Sequence, residues 1–575
     1  MINIYQLFPR VFGNKTRQMQ INGTIESNGC GKLNDINEAA LFSLKQMGFT
    51  HIWLTGIIRH ASLTDYSQYG IPSQHPALVK GRAGSPYAIT DYYDIDPDLA
   101  EDITQRMDEF EQLVKRIHKL GMKVIIDFVP NHLAREYRSV SKPKGVIDFG
   151  EQDDTALAFH PSNNFYYLPG QSFVPPKREL PIYEAASVYV EQPAKVTGND
   201  CFHPAPRVND WFETVKLNYG VDYNGLLSHH FEPVPDTWNK MHHILMYWLS
   251  KGVDGFRADM AEMIPVAFWQ WLIKLLRQPY PDVLMIAEIY QSGLYRDFIQ
   301  AGFDLLYDKV GLYNQLENIL RHDHPAEAIT NAWKQTEGMQ PQMLRFMENH
   351  DEVRLASVHF AGNAFAALPA IVVSAFLHTS ALMVYNGQET GEDAAGETGF
   401  SKDDGRTSIY DYCHMPRHQR WMNDGKFDGG QMLFEQHLLR DFYTQLLHMR
   451  LKQPALREGA FYDLMWANPW YSGFDPHFVY AFLRYTNEQR LLILVNFHRL
   501  EDRRIEVKIP QDAQKLMNLK SDSSRVWFVR DIWEEGAESI EFLIDELHTT
   551  GIRIDLKPVS YKVLEIKERV NNTIK

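Results

Sequence analysis

Four short segments set acids and bases where proton transfer and nucleophilic attack would use them. KVIIDFVPNH (123–132) carries Asp127, Asn131 and His132 at and just beyond an apolar run. VDGFRADM (253–260) carries Arg257 and Asp259, and VLMIAEIY (283–290) carries Glu288. QMLRFMENHDEVR (342–354) carries Glu348, His350, Asp351 and Arg354. On a strand, residues i and i+2 share a face. Arg257 and Asp259 therefore project together, while Phe256 and Ala258 face the other way. Asp259 and Glu288 are one βαβ unit apart, which puts them on adjacent parallel strands. A strand spacing of about 4.8 Å brings their carboxyl groups to about 5–5.5 Å, the separation a retaining glycosidase uses.

Two acids that close push each other's pKa values apart. Arg257 would keep Asp259 ionised and fit to be a nucleophile. Glu288, with no cation evident in the sequence, would hold its proton near neutral pH. Such a pair can attack an anomeric carbon and protonate the leaving oxygen. Asp351 would steady the oxocarbenium-like charge. His132 and His350 suit hydrogen bonds to vicinal sugar hydroxyls, and Tyr87, in SPYAITDYYDID, suits an apolar sugar platform.

The elements that must position these residues alternate. Strand-like runs at 4–8, 51–57, 123–129, 253–260, 283–290, 303–309, 342–348 and 381–387 are separated by amphipathic stretches. Helices are expected at 37–49, 103–122, 235–251, 265–278, near 293–301, near 325–336, at 364–379 and at 437–452. Eight strand–helix units predict an α/β fold of the closed (β/α)8 TIM-barrel type. Barrel sites lie at the C-terminal ends of the strands, which is where the acids fall. Residues 133–220, rich in Pro, Asn, Gly and aromatics, read as a small inserted domain after strand 3, because a loop of that length is implausible in a compact domain. Residues 1–132 and 221–458 then form the barrel. From 459 to 575 the pattern changes to alternating strands (FVYAFLRY, RLLILVNF, RRIEVKI, SYKVLEI), predicting a C-terminal antiparallel β-sandwich.

Composition narrows the partners. The 575 residues are 44% hydrophobic and 23% charged, with 58 Lys and Arg against 73 Asp and Glu, a net charge of -15. That sign disfavours nucleic acid and anionic membrane surfaces. No apolar run is long enough to span a bilayer. Cys30, Cys201 and Cys413 are too few and too scattered for a zinc cage or a disulfide framework. A cytoplasmic location is expected, or a periplasmic or secreted one if a leader was removed. Oligomeric state is not legible.

The motifs resemble those of the α-amylase superfamily, glycoside hydrolase family 13. IYQLFPRVF resembles its first strand, and SPYAITDYYDIDP its tyrosine-bearing segment. IIDFVPNH, VKLNYG, GFRADMAEM, IAEIY, MENHDEVR and VYNGQETGED match or resemble its motifs in order. The resemblance implies that Asp259 is the nucleophile, Glu288 the general acid/base and Asp351 the transition-state stabiliser. It places Tyr87, His132, Arg257 and His350 around the attacked glucose, with Arg354 reaching a neighbouring sugar and Asp127 orienting local structure. It implies an α-1,4- or α-1,6-linked glucan or malto-oligosaccharide as substrate and no organic cofactor. Two features depart from the pattern. Many relatives carry Lys-His where this chain has Glu262 and Met263, and the first loop lacks an acidic calcium-binding run. Asn131 remains as a candidate calcium ligand, although calcium requires about 6–8 oxygens.

Other readings stand beside these. Glu348 and Glu352 suit solvated or helix-capping roles. Glu262 suits a sugar contact or a plain loop carboxylate. Phe165, Tyr166, Tyr167, Phe173 and Tyr183 suit the core of the insert more than sugar stacking, and Asp403, Asp404 and Arg406 suit the cleft rim. The functional alternatives to a retaining hydrolase are an α-glucan transglycosidase or disaccharide isomerase, a non-catalytic binding relative, and a metal-dependent barrel enzyme.

Overall fold

A computed structural model describes residues 1–520 and 526–569; residues 521–525 and the expected end of the C-terminal domain at 575 lie outside the described residues. Eight parallel strands close a barrel. They are β1 Asn3–Leu7, β2 His51–Leu54, β3 Lys123–Phe128, β4 Gly255–Ala258, β5 Leu284–Ala287, β6 Leu305–Tyr307, β7 Met343–Arg345 and β8 Ala381–Tyr385. The ring closes where β1 pairs with β8, Asn3 opposite Leu382 and Gln6 opposite Tyr385. All five residues of β1 and of β8 are buried. Strands covered by helices outside and packed side chains inside must be apolar almost throughout.

The helices include α1 Glu38–Met47, α2 Arg106–Lys119, α3 Asp236–Ser250, α4 Val266–Leu276, α5 Tyr295–Ala301, α6 Asn314–His322, α7 Ile329–Gln335, α8 Leu368–Phe376 and α9 Phe434–Lys452, with shorter ones such as Pro416–Met422 between them. α1 starts where the Asn37 side chain accepts from Ala40 N and ends at Gly48, whose φ of 105° suits a residue without Cβ. Every helix expected from the sequence is present. α6 was not expected: its buried face is only Leu316, Ile319 and Leu320, and a π-helical turn at Lys309–Tyr313, with its wider period, obscures its start. A second unforeseen element is the strand Ile89–Ile95, which pairs with Ile58–His60 and carries the segment after Tyr87.

The inserted segment is tied to the barrel by His132–Ala134 pairing with Thr214–Lys216, and it carries a further two-residue pairing of Tyr167–Leu168 with Ala194–Lys195. Phe165, Tyr167 and Leu217 bury in the same apolar core as the barrel. The C-terminal region holds a six-stranded antiparallel sheet, in the order Ala460–Asp463, Val479–Tyr485, Arg490–Asn496, Ser560–Arg569, Val526–Asp531, Ile540–Phe542. A second pair, Arg503–Val507 with Ile552–Leu556, adds its apolar residues to that core. Among the described residues no helix is long and apolar enough to cross a membrane.

Arg450 pins the last barrel helix to the strand bottoms. It is fully buried and donates to Asn3 Oδ1 at 2.9 Å, to Ser380 O at 2.6 Å and to Ala375 O. Burial pushes its pKa down to about 9. Arg450→Met would leave those acceptors buried and unpaired, at a cost of about 2–4 kcal/mol. Calorimetry should show a lower unfolding midpoint for this variant, and an unchanged midpoint contradicts the role.

Candidate active site

Strand register brings the acids together. Arg257 in β4 lies opposite Asp127 in β3 and Ile286 in β5. One step beyond the ladder, Asp259 N donates to Phe128 O and Glu288 N to Ala258 O, so the two acids leave neighbouring strands at the same height. Met260 then turns with φ 46°, a left-handed conformation that costs a non-glycine residue about 1–2 kcal/mol. A cavity of about 260 Å³ opens here, with Tyr87, His132, Asp259, Glu288 and Asp351 in its lining. Five of the eight catalytic and binding residues expected from the sequence therefore meet in one space.

Arg257 and His350 do not line that space; they stand directly behind it. Arg257 is fully buried. Its Nη1 donates to Asp259 Oδ1 at 2.9 Å and to Asp127 Oδ1 at 3.3 Å, and its Nη2 pairs with Glu288 Oε1 at 2.8 Å as a charge contact outside hydrogen-bond alignment. Its Nε donates to Tyr307 OH at 3.2 Å, and the rings of Trp53 and Tyr87 lie 5.5 and 5.4 Å from its guanidinium.

This geometry corrects the electrostatic expectation. The sequence suggested a cation for Asp259 alone. The structure gives the same guanidinium to both acids and adds two donors to Glu288: Met260 N at 2.7 Å to Oε2 and Tyr290 OH at 2.7 Å to Oε1. Asp259 Oδ2, by contrast, is buried without a partner. Burial pushes the Asp259 carboxyl well above the usual range; Arg257 opposes this, and the charges of Glu288, Asp127 and Asp351 add to it. Asp259 in the free enzyme is thus an acid that resists ionisation, against the expectation that Arg257 keeps it charged.

Asp351 behaves differently. Its side chain is 44% exposed at the cavity mouth. Partial burial pushes its pKa up, but the charge and hydrogen bond of His350 outweigh that, with help from Arg257 and Arg406, and leave it at about 2. His350 Nε2 lies 3.1 Å from Asp351 Oδ2 and 2.5 Å from Tyr87 OH, while its Nδ1 lies 2.8 Å from Gln6 Nε2. One imidazole thereby aims two cavity residues. His132 is pushed down to about 3 by burial and by the charges of Lys216 and Lys80, so it is a neutral ring at physiological pH. Asp127 accepts from Trp53 Nε1 at 3.2 Å and Gly56 N at 3.3 Å and orients Arg257 rather than facing the cavity.

Other expected residues sit elsewhere. Arg354 is fully buried, pairs with Glu348 Oε2 at 2.8 Å and stacks 4.1 Å from the Tyr385 ring; it braces the β7 and β8 loops and is out of reach of a sugar in this cavity. Glu348 is correspondingly buried, not solvated, and also accepts from Leu355 N. Glu352 pairs with Lys309 at 3.0 Å. Glu262 accepts from Tyr290 N and Gln291 N at 2.9 and 2.8 Å, so it holds the loop that follows Glu288. Arg406 donates to Asp351 O at 2.6 Å and pairs with Asp404 at 3.0 Å, and Asp403 lies 3.8 Å from His359. Phe165, Tyr166, Tyr167 and Phe173 are buried, and Tyr183 stacks 3.5 Å from Arg178; none of the five lines the cavity.

The cavity also has walls the sequence did not reveal: Lys80, Trp211, Glu213, Tyr290 and Tyr410. Tyr290 was findable, two residues after Glu288 on the same face. The others lie in irregular segments with no period to mark them.

Calcium does not fit the residues around Asn131. Its Oδ1 faces Lys216 Nζ at 3.3 Å, and the same ammonium lies 2.5 Å from Asp200 Oδ1. Asn131 Nδ2 donates to Gly198 O at 2.7 Å. An ammonium already satisfies the oxygens a cation would need.

A closed parallel barrel whose strand ends gather acids around one cavity defines a carboxylate-dependent barrel protein. Residues 6–413 match the family model for the alpha amylase catalytic domain, and the chain belongs to the α-amylase family of glycoside hydrolases and transglycosylases. It is 21% identical to Alpha-amylase 3 of Dictyoglomus thermophilum over 471 residues, 76% of this chain and 80% of that one. It is 21% identical to Neopullulanase 2 of Thermoactinomyces vulgaris over 526 residues, 89% of this chain and 72% of that one. The crystal structure of an α-amylase from Geobacillus thermoleovorans complexed with acarbose shares the fold, with a TM-score of 0.61, 17% identity and 99% of each chain covered.

Two outcomes follow from the electrostatics. A carboxyl held above its unfolded value, about 3.9, costs stability at neutral pH, and the cost fades as pH falls through the raised value. Asp259→Asn should therefore melt on the order of 2 °C or more above the parent at pH 7, with the gain shrinking in acid; a lower midpoint at pH 7 contradicts the assignment. Activity and midpoint should both survive a strong chelator, whereas Lys216→Met should lower the midpoint; activity lost to chelator and restored by calcium would refute the Lys216 substitution.

Proposed function

We propose that this protein cleaves α-glucosidic bonds in α-glucans (starch, glycogen, maltodextrins) with retention, through a covalent glycosyl-enzyme. The observation that carries the reading is one buried guanidinium shared by Asp259 and Glu288, with Asp259 Oδ2 left unpartnered in a cavity wall. One planar group contacts two carboxylates only when they are close, in the direction of the roughly 5–5.5 Å of retaining enzymes.

Asp259 is the nucleophile: Oδ2 bonds to the anomeric carbon as the bond to the leaving oxygen breaks. Glu288 gives that oxygen its proton. The first step needs Glu288 protonated and Asp259 ionised, and the Arg257 guanidinium stabilises Asp259 in that form. Water then enters, Glu288 takes its proton, and the oxygen displaces Asp259 from the sugar. Asp351, ionised down to about pH 2, faces the oxocarbenium-like charge in both steps. Neutral His132 can both donate to and accept from sugar hydroxyls. No organic cofactor enters. Cys30, Cys201 and Cys413 are free, which supports the cytoplasm as the compartment.

The second reading is transfer to a sugar, or isomerisation of a disaccharide, by the same covalent step. A sugar in place of water would meet the same two acids, so their geometry serves this outcome as well.

Chromatography of products from maltose, maltotriose, pullulan and glycogen separates the two. Only shorter products support hydrolysis, and longer oligomers support transfer. Asp259→Asn should lower kcat by at least about 10³-fold; substantial turnover in that variant removes Asp259 from the nucleophile role.

A further inference from the structure

Lys80 and Glu213 come from different layers of the molecule, the loop before Tyr87 and the inserted segment, and meet in the cavity wall. Lys80 Nζ lies 2.6 Å from Glu213 Oε1, and the residues are 7% and 4% exposed. Burying such a pair is costly unless every oxygen and proton finds a partner. Here the pairing is incomplete: Glu213 Oε2 is buried without any partner.

A second ion pair in the insert shows what a purely structural one looks like. Glu191 Oε1 accepts from Arg135 Nη1 at 2.7 Å and Lys195 N at 2.8 Å, and its Oε2 accepts from Tyr189 OH at 3.0 Å. Both of its oxygens are satisfied within the fold, and it does not line the cavity. The Lys80–Glu213 pair lines it and leaves an acceptor over.

The surroundings also carry strain and aromatic surface. Trp211 sits at φ 43°, left-handed for a bulky residue, with its ring 5.1 Å from that of His132. Such strain persists only where the surrounding structure enforces it, and it clusters at functional sites. Lys80 Nζ lies 5.8 Å from the Tyr410 ring. Burial and then the charges of Glu213 and Asp351 raise the Tyr410 hydroxyl, which places Tyr410 within the field of both the pair and the catalytic end.

We infer that Lys80 and Glu213 read two vicinal hydroxyls of a glucosyl ring held in the same cavity as Asp259, Glu288 and Asp351. The ammonium donates to one hydroxyl oxygen, and Glu213 Oε2 accepts from the neighbouring hydroxyl. A neutral diol matches a site that offers donor and acceptor side by side. An anionic sugar would face the Glu213 charge, and an apolar group would leave both members of the pair unsolvated. The inference rests on the α-glucan reading and names the specificity residues of that site.

The test begins with wild-type turnover of maltotriose, since inactivity there overturns the α-glucan reading itself. With an active enzyme, Glu213→Gln should raise KM for maltotriose about 10–100-fold, the range for losing a hydrogen bond to a charged group, with kcat changed much less. Monodeoxy maltotrioses then separate recognition from mere structure. One analogue should lose that same factor on the wild type and lose little on Glu213→Gln, a non-additivity that a structural latch does not produce. Lys80→Met/Glu213→Leu, which replaces the pair by apolar groups of similar size, is the variant least prone to unfold and should show the same KM rise. Folded variants with unchanged KM, or deoxy penalties that simply add, overturn the proposal. So does failure of both variants to fold, which makes the pair a structural latch.

Discussion

One buried cation governs the site. Arg257 has no exposed surface, and three carboxylates from three adjacent strand ends lean on it. An isolated guanidinium would not survive there, and the carboxylates would not survive without it. The charges are unequal, however: a single positive group answers Asp127, Asp259 and Glu288, with Asp351 nearby. The deficit falls on Asp259, whose carboxyl is pushed upward by burial and by its neighbours. A group that the fold holds at a disadvantage is available to bond to something else, and this is how a stable barrel can carry a reactive acid.

Layers of support radiate from that cation. Asp127 is fixed by Trp53 and the backbone of Gly56 and in turn fixes Arg257. His350 is held between Gln6, Tyr87 and Asp351. Glu262 holds the backbone of Tyr290, whose hydroxyl reaches Glu288. The supporting residues come from several βα units, Gln6 from the first and His350 from the seventh among them, so closure of the barrel between β1 and β8 is itself part of the site. Residues that touch no substrate are placed to decide the positions, to within fractions of an ångström, of those that do.

The walls differ from the floor. The floor comes from strands and inherits their register. The walls come from the inserted segment and from the loops around Lys80 and Tyr410, and they bound the cavity. Two of the residues held at positive φ, Met260 and Trp211, lie on this boundary. Where the family's relatives differ in what they accept, this boundary is the part of the structure free to vary without disturbing the barrel.

What the sequence determined by itself was periodic or local. Apolar runs alternating with amphipathic helices specified eight units and a closed barrel. The one-unit spacing of Asp259 and Glu288, and the i, i+2 relation of Arg257 and Asp259, specified their meeting, because strand geometry converts spacing into position. α6, with three apolar anchors after a π-helical turn, the strand Ile89–Ile95 and the short helix Pro416–Met422 escaped that logic. Tertiary structure alone decided the distribution of charge and the identity of the walls. Arg257 serves Glu288 as well as Asp259, Arg354 turns inward to Glu348, Lys216 supplies the positive charge beside Asn131, and Lys80 finds Glu213 across a long stretch of chain. Each of these depends on where a long flexible side chain ends in space and on which neighbours desolvate it, and neither quantity is written in the order of residues.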